Sequence, residues 1–231
     1  MIMDGQHIDK QWKCLFWDLD GTITDSGEGI MKSAQVTLAH YGIEVEDWRT
    51  LRPFVGPPLE DSFQMFYGFT YEQSIEAMEI YRQDYVGNDY VLSRNYPYPG
   101  IEECLGALQD AGYLQVIATS KPKRTAEQVL KHFGLLKYFD YVAGRDAHDV
   151  LHTKADVIRD AIQRLDIHPA DILMIGDRKF DIIGAQELGI DSVGILWGYG
   201  DREEMERVNA DYIIESIPEL LYFLLPSSVG K

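Results

Sequence analysis

The chain is poor in cysteine and has no long apolar run. Among its 231 residues the two cysteines are Cys14 and Cys104, and no uncharged apolar stretch approaches the roughly 18 residues of a membrane span. Residues 1–13 are polar and of mixed charge, so they also lack the apolar centre of a secretory signal. We therefore expect a cytoplasmic protein with no membrane partner, in which both cysteines are reduced core residues.

Basic residues are also scarce. The chain has 21 Lys and Arg against 38 Asp and Glu, which gives a formal net charge of −17. This charge disfavours binding to nucleic acid or to an anionic membrane surface. An anionic small-molecule substrate would need local cations, which a divalent metal and a few well-placed Lys or Arg side chains could supply.

From Pro99 onward, apolar runs typical of buried strands alternate with stretches of helical periodicity. Helix signals, such as the N-cap residue Thr153, separate the apolar runs. The predicted strands are 114–118, 141–143, 172–175, 192–196 and 212–214. Alternation of this kind predicts an α/β protein with a mainly parallel, doubly wound sheet covered by helices on both faces.

Residues 27–95 interrupt this alternation, because they show helical periodicity and no convincing strand. The overall composition, 45% hydrophobic and 26% charged, suits a globular domain that carries a smaller insert. We therefore predict a core domain made of residues 1–26 and 96–231, with an all-helical inserted domain at 27–95.

The most informative motif is Asp18-Leu19-Asp20-Gly21-Thr22. The apolar run at 14–17 predicts a buried parallel strand, which places both carboxylates at the carboxyl end of that strand. Open α/β sheets bind their ligands at this edge. Two carboxylates so close repel each other unless a cation or a shared proton intervenes, and Mg²⁺ with its preference for oxygen ligands would relieve the repulsion.

Three further features are predicted at the same edge. Thr119 and Ser120 end a strand and lead into a helix, whose first N–H groups are suited to phosphate. Lys154 lies in a first helical turn, where a cation costs about 0.3–1 kcal/mol unless it faces an anion. Asp177 follows a strand and Asp181 lies one helical turn later, a spacing that can place both beside a metal. Each feature alone is also compatible with an ordinary turn or a solvated surface residue.

In this order, the motifs resemble those of the haloacid dehalogenase superfamily of phosphohydrolases. Residues 18–22 resemble the first motif of that superfamily, Thr119 the second, Lys154 the third, and Asp177 with Asp181 the fourth. The resemblance implies a Rossmann-like core, with the helical insert as the cap domain of the superfamily.

Within the superfamily the closest likeness is to the phosphoglycolate phosphatase group, some of whose members are 5′-nucleotidases. The resemblance to the superfamily covers about residues 13–225 and implies a cap that closes over the site, with a contact loop around residues 56–59. The likeness to the phosphoglycolate phosphatase group is carried by Phe54-Val55-Gly56-Pro57-Pro58-Leu59-Glu60, Pro99-Gly100, Ala118-Thr119-Ser120-Lys121-Pro122 and Trp197-Gly198-Tyr199-Gly200.

The resemblance implies a Mg²⁺-dependent phosphatase acting on a small phosphorylated metabolite, either phosphoglycolate-like or a nucleoside monophosphate. It implies Asp18 as the nucleophile that forms an aspartyl-phosphate, and Asp20 as the general acid and base. Thr119 and the N–H of Ser120 would hold the phosphoryl oxygens, and Lys154 would neutralise their charge.

The same resemblance implies a metal site. Mg²⁺ would be held by the Asp18 carboxylate, the Asp20 backbone carbonyl and Asp177. Asp181 would orient a metal-bound water or the side chain of Lys154. We further expect a monomer or a weak homo-oligomer, with no nucleic-acid partner.

Other activities fit the sequence less well. Haloalkanoate dehalogenases lack the aspartate that is present here as Asp20, and phosphonatases need a cap lysine, for which the insert offers only Lys32. Sugar phosphomutases carry an arginine where this chain has Leu59 before Glu60. A further alternative is a catalytically inactive module that binds a partner.

The sequence departs from the pattern of the group at two places. The stretch Gly144-Arg145-Asp146-Ala147-His148-Asp149-Val150 is not of the small Gly-Ser type that is common in the group, and no proline follows Lys154. Lys121 is therefore a second candidate for the lysine that faces phosphate. His148 and His152 have the i, i+4 spacing of a helical zinc pair, but no helix is predicted there, which disfavours zinc.

Overall fold

The computed structural model describes residues 12–145 and 153–225, and the candidate zinc pair His148 and His152 lies outside them. A six-stranded parallel sheet forms the centre of the fold, in the order β5-β4-β1-β6-β7-β8, and β2 pairs with β3 in a separate antiparallel ribbon. The strands are β1 (Cys14–Trp17), β2 (Thr24–Asp25), β3 (Tyr96–Pro97), β4 (Leu114–Pro122), β5 (Tyr141–Arg145), β6 (Ile172–Gly176), β7 (Asp191–Ile195) and β8 (Tyr212–Ile214).

Helices cover both faces of the sheet, as predicted, so the α/β fold class is confirmed. The helices are α1 (Gly27–His40), α2 (Leu59–Tyr67), α3 (Tyr71–Gly87), α4 (Tyr90–Ser93), α5 (Ile101–Asp110), α6 (Lys123–His132), α7 (Lys154–Leu165), α8 (Lys179–Gln186), α9 (Arg202–Arg207) and α10 (Ile217–Leu224). Short 3₁₀ helices occupy Trp48–Phe54, Leu136–Tyr138 and Pro169–Asp171. No helix of the described residues is both long and apolar enough to cross a membrane.

The strand that carries Thr119 and Ser120 is longer than predicted. β4 runs on to Pro122, with a shift in its register against β5 between Thr119 and Pro122, and α6 begins only at Lys123. The physical reason is Pro122, which lacks an N–H and disfavours helical backbone in the residue before it. Thr119 and Ser120 are therefore extended residues at the edge of the sheet rather than the start of a helix.

Alternate side chains of β1 enter two different hydrophobic clusters. Leu15 and Trp17 pack on one face of the sheet, while Cys14 and Phe16 pack on the other, and all four are almost completely buried. Burial on both faces is typical of a central parallel strand. Cys14 and Cys104 are buried free thiols, in agreement with the prediction of reduced core residues.

The helices α1–α4 pack around a third hydrophobic cluster of their own, with members such as Leu38, Phe54, Phe63 and Tyr81. We call this helical insert the cap. The ribbon of β2 and β3 lies where the chain enters and leaves the cap, because Thr24 pairs with Pro97 and Asp25 with Tyr96. Its exact limits, residues 27–95 in the sequence, remain our prediction.

Candidate active site

The carboxyl ends of three adjacent strands assemble the site. β1 lies between β4 and β6, with Trp17 paired to Ile117 on one side and Ile175 on the other. The N–H of Asp18 donates to the carbonyl of Ile175 over 2.9 Å, which continues the ladder by one residue. The first residue after β1, Asp18, is thereby fixed beside the ends of β4 and β6.

Three carboxylates meet at this edge. Asp18, Asp177 and Asp181 each place an oxygen within 4.8 Å of the others, and all three are buried. Burial raises the pKa of Asp18 to about 7, opposed by Lys154 and reinforced by Asp181. Burial, followed by the charges of Asp18 and Asp181, raises the pKa of Asp177 well above its usual value. A divalent cation with a preference for oxygen ligands would relieve this repulsion, so the donor set fits Mg²⁺.

Lys154 is the cation of this cluster. Its Nζ lies 2.6 Å from Oδ1 of Asp18 and 2.8 Å from Oδ1 of Asp181, and it donates to the carbonyl of Ala118 over 2.9 Å. Burial alone would lower the pKa of Lys154, but the charges of Asp18 and Asp181 outweigh it and raise that pKa. Thr153 caps the N-terminus of α7 through a reciprocal pair of hydrogen bonds with Asp156, which fixes the first turn of the helix, where Lys154 lies.

Asp20 has a different set of partners. Ser26 donates to its Oδ1 over 2.6 Å, and Nζ of Lys121 lies 3.0 Å from its Oδ2. Gly21, at φ +95°, lets the chain turn between Asp20 and the rest of the motif, and a side chain at this position would collide with Asp177. The two lysines thus form ion pairs with different motif carboxylates, Lys154 with Asp18 and Lys121 with Asp20.

Asp177 is held by groups from distant parts of the chain. The hydroxyl of Thr22 donates to its Oδ1 over 3.3 Å, and the N–H of Tyr199 donates to its Oδ2 over 2.7 Å. These hydrogen bonds leave the carboxylate fixed beside Asp18. Neither bond could be predicted from the sequence alone, because both depend on how loops far apart in the chain pack together.

A cavity of about 140 Å³ lies between the core and the cap. The core contributes Asp18, Asp20, Thr119, Ser120 and Lys121 to its lining, so Thr119 and Ser120 share one space with both motif aspartates. Lys154 is not among the lining residues and reaches the site through its contact with Asp18. The cap side contributes the predicted contact loop, several apolar and aromatic side chains and two charged ones, namely Ile30, Phe54, Gly56, Pro57, Pro58, Leu59, Glu60, Met78, Tyr81, Arg82 and Tyr85.

The contact loop is attached to the core at both ends. Arg178 of the core donates to the carbonyl of Val55, and Nε of the same arginine donates to Glu204 over 3.0 Å. At the other end of the loop, Arg145 of β5 forms an ion pair with Glu60 of α2. Arg145 belongs to the stretch 144–150, in which the sequence differs from the phosphoglycolate phosphatase group. In this protein it forms a charged contact between the core and the cap.

A sequence profile of the haloacid dehalogenase-like hydrolases matches residues 15–195. The chain belongs to the haloacid dehalogenase-like hydrolase family. A 5′-nucleotidase of Pseudomonas aeruginosa is 35% identical to it over 191 residues, covering 83% of this chain and 86% of the relative. Tyrosine-protein kinase PtkA of Mycobacterium tuberculosis is 34% identical over 200 residues, covering 86% of this chain and 67% of the kinase.

The fold of this haloacid dehalogenase-like hydrolase also matches solved structures. A crystal structure described as a predicted phosphatase from Clostridium acetobutylicum is 42% identical, with a TM-score of 0.90, and covers 94% of this chain and 100% of that one. The similarity extends over the cap as well as the core. The family and the fold class that the motifs indicated are thus confirmed.

Sequence reasoning missed several polar residues of the hydrolase's site. Ser26 donates to Asp20, the N–H of Tyr199 donates to Asp177, and Tyr85 lines the cavity from the cap. Tyr199 belongs to a stretch that carried the family likeness, but no spacing rule placed it beside Asp177. The other two offered no signal, since a serine before a helix and a tyrosine on a cap helix are common.

Proposed function

We propose that this protein is a Mg²⁺-dependent phosphatase that hydrolyses a small phosphomonoester through an aspartyl-phosphate on Asp18. The observation that carries the proposal is the cluster at the end of β1. There Asp18 is in contact with Lys154 and within 4.8 Å of Asp177 and Asp181, under a small cavity closed by the cap. The phosphatase and 5′-nucleotidase names of similar proteins support the same class of reaction.

In the first step, an Asp18 carboxylate oxygen forms a bond to phosphorus while the bond from phosphorus to the ester oxygen breaks. Asp20 transfers a proton to the departing oxygen, so that the leaving group departs as an alcohol. In the second step Asp20 takes a proton from water, the water oxygen attacks phosphorus, and the bond to Asp18 breaks. Lys121 and Ser26 hold Asp20 in place for both proton transfers.

The transferred phosphoryl group is anionic, so the site must supply positive charge and hydrogen-bond donors. Lys154 supplies an ammonium beside Asp18, and Thr119 and Ser120 line the cavity, where the hydroxyl of Thr119 and the N–H of Ser120 would donate to the phosphoryl oxygens. Asp18, Asp177 and the carbonyl of Asp20 would hold Mg²⁺, which when bound supplies charge neutralisation between the carboxylate and the phosphoryl group. Asp181 keeps Lys154 oriented through its 2.8 Å contact.

The alternatives receive less support from the described residues. Lys32, the cap lysine that a phosphonatase would need, pairs with Glu28 over 2.7 Å and does not line the cavity. The name of the PtkA relative describes transfer to tyrosine, but about 140 Å³ is less than the roughly 300–1,000 Å³ of sites for drug-sized ligands. A small leaving group and water as acceptor fit this space better.

The test is phosphate release from p-nitrophenyl phosphate with Mg²⁺ and with EDTA. We expect turnover only with the metal, and a loss of at least about 10³-fold in kcat for Asp18→Asn, because an amide oxygen is a poor nucleophile. Asp110→Asn, on an exposed aspartate of α5, is the matched control and retains full activity. Turnover by Asp18→Asn at the wild-type rate would contradict the proposal, as would inactivity of the wild-type protein with Mg²⁺.

A further inference from the structure

Tyr85 places a buried hydroxyl without a protein acceptor in the cavity. The side chain is 6% exposed and lines the cavity from α3. Across residues 12–145 and 153–225, no group accepts a hydrogen bond from its Oη, although the ammonium of Lys121 is close enough to donate to it. Buried hydroxyls are nearly always satisfied, because leaving one unpaired costs the free energy of its lost hydration. An unpaired hydroxyl in a substrate cavity therefore indicates a ligand that pairs with it.

The neighbours of Tyr85 show which kind of group is missing. Nζ of Lys121 lies over the tyrosine ring, 5.5 Å from its centroid. An ammonium can only donate hydrogen bonds, so Lys121 cannot accept the phenolic hydrogen. Tyr81 stacks on Tyr85 with centroids 5.3 Å apart and an interplanar angle of 24°, which fixes the ring. What the site lacks is an acceptor for the Tyr85 O–H.

The position of that acceptor follows from the two ends of the cavity. The phosphoryl end lies at Asp18, which is in contact with Lys154, whereas Lys121 pairs with Asp20, the residue that protonates the leaving group. Tyr85 lies beside the Lys121 and Asp20 pair and therefore at the leaving-group end. The remaining cap lining includes the apolar side chains of Met78 and Phe54 and the charged side chains of Arg82 and Glu60. The hydroxyl of Tyr85 is thus an uncharged polar group of the cap lining that lies next to the Lys121 and Asp20 pair.

We infer that Tyr85 is a specificity-determining residue, whose hydroxyl donates a hydrogen bond to an oxygen acceptor on the leaving group beyond the ester oxygen. This inference rests on the proposed function and narrows its substrate class. The hydroxyl of Tyr85 favours small phosphomonoesters whose leaving group carries a hydroxyl, carbonyl or carboxylate oxygen over alkyl phosphates of the same size. A site built to pair with such an oxygen rejects the analogue that lacks it.

The test compares 2-hydroxyethyl phosphate with propyl phosphate, which differ by a hydroxyl in place of a methyl group and carry the same charge. We expect the wild-type protein to favour 2-hydroxyethyl phosphate in kcat/KM, and Tyr85→Phe to reduce that preference about tenfold. The reduction comes from a lower kcat/KM for 2-hydroxyethyl phosphate, while the kcat/KM for propyl phosphate changes by less than about twofold. Tyr41→Phe is the matched control, since that cap tyrosine donates to the carbonyl of Gln73 outside the cavity.

Two outcomes would overturn the inference. One is an unchanged preference in Tyr85→Phe, and the other is an equal loss for both esters, which would show that the residue only supports the packing of the cap. Calorimetric binding of both esters to Asp18→Asn, with and without Tyr85→Phe, separates this inference from the proposed function. If the wild-type protein releases no phosphate from p-nitrophenyl phosphate or from either ester, but Tyr85→Phe selectively weakens 2-hydroxyethyl phosphate binding, the proposed function fails and the role of Tyr85 stands.

Discussion

At the scale of single residues, the site is a small volume in which charges of both signs are buried together. Asp18, Asp177 and Asp181 bring three carboxylates to one ammonium, that of Lys154. The raised pKa of Asp18, about 7, and the raised pKa of Asp177 are the expected result of burying more negative than positive charge. The imbalance is what a divalent cation would correct.

The raised pKa of Asp18 predicts how stability depends on pH and on Mg²⁺. In the metal-free protein, folded Asp18 keeps its proton up to about pH 7, while the unfolded chain releases it near 3.8. The free energy of unfolding therefore falls as the pH rises between these values. Because Mg²⁺ binds the ionised carboxylates, we expect it to raise Tm more at about pH 8 than at about pH 5.5. Thermal denaturation with and without Mg²⁺ measures both effects.

Asp177→Asn is the control variant for this prediction. Removing one buried negative charge stabilises the metal-free protein above pH 7 and abolishes most of the increase in Tm caused by Mg²⁺. An equal effect of Mg²⁺ at both pH values, or a full effect in Asp177→Asn, would rule out the metal site that we assign to these carboxylates.

At the scale of elements, the six strands of the central sheet could be predicted from the sequence, apart from the end of β4, whereas the short ribbon of β2 and β3 could not. The short apolar runs that end at Asp18 and Asp177 predicted the ends of β1 and β6, because a buried parallel strand must be apolar on both faces. The end of β4 was placed too early, since Pro122 extends the strand rather than opening the helix. The ribbon of β2 and β3 was missed, because two-residue strands leave no periodic pattern.

The contact between Arg145 of β5 and Glu60 of α2 gives a prediction at this scale. Their side chains are 9% and 14% exposed, so the pair is shielded from water. We expect a double-mutant cycle of Glu60→Gln and Arg145→Met to show a coupling of about 1–3 kcal/mol in the free energy of unfolding. Because the pair holds the contact loop over the cavity, we also expect each single variant to lower kcat/KM about tenfold, with partial recovery in the double variant.

The exposed pair of Lys137 and Glu102 is the matched control for this cycle, with side chains 61% and 51% exposed. Water screens it, so the same substitutions there should give no measurable coupling and leave kcat/KM unchanged. Additive effects of the Glu60 and Arg145 variants on the free energy of unfolding and on kcat/KM would show that this ion pair does not hold the cap against the core.

At the scale of the whole molecule, the protein combines a sheet with two hydrophobic clusters and a cap with a third. The family motifs predicted which residues of the core meet, because they lie at the ends of neighbouring strands. They could not predict which cap side chains face them, since Tyr85 and Glu60 reach the site only through the packing of the cap against the core. Substrate choice therefore depends on how the cap packs against the core, which the sequence motifs alone do not specify.

The proposed mechanism requires that Asp18 carries the phosphoryl group between the two steps. The direct measurement is an acid quench during turnover of radiolabelled p-nitrophenyl phosphate with Mg²⁺, followed by peptide mapping of the labelled protein. We predict label on the peptide that contains Asp18, and none in Asp18→Asn. Label on a different residue, or steady turnover with no labelled protein at any quench time, would contradict the account.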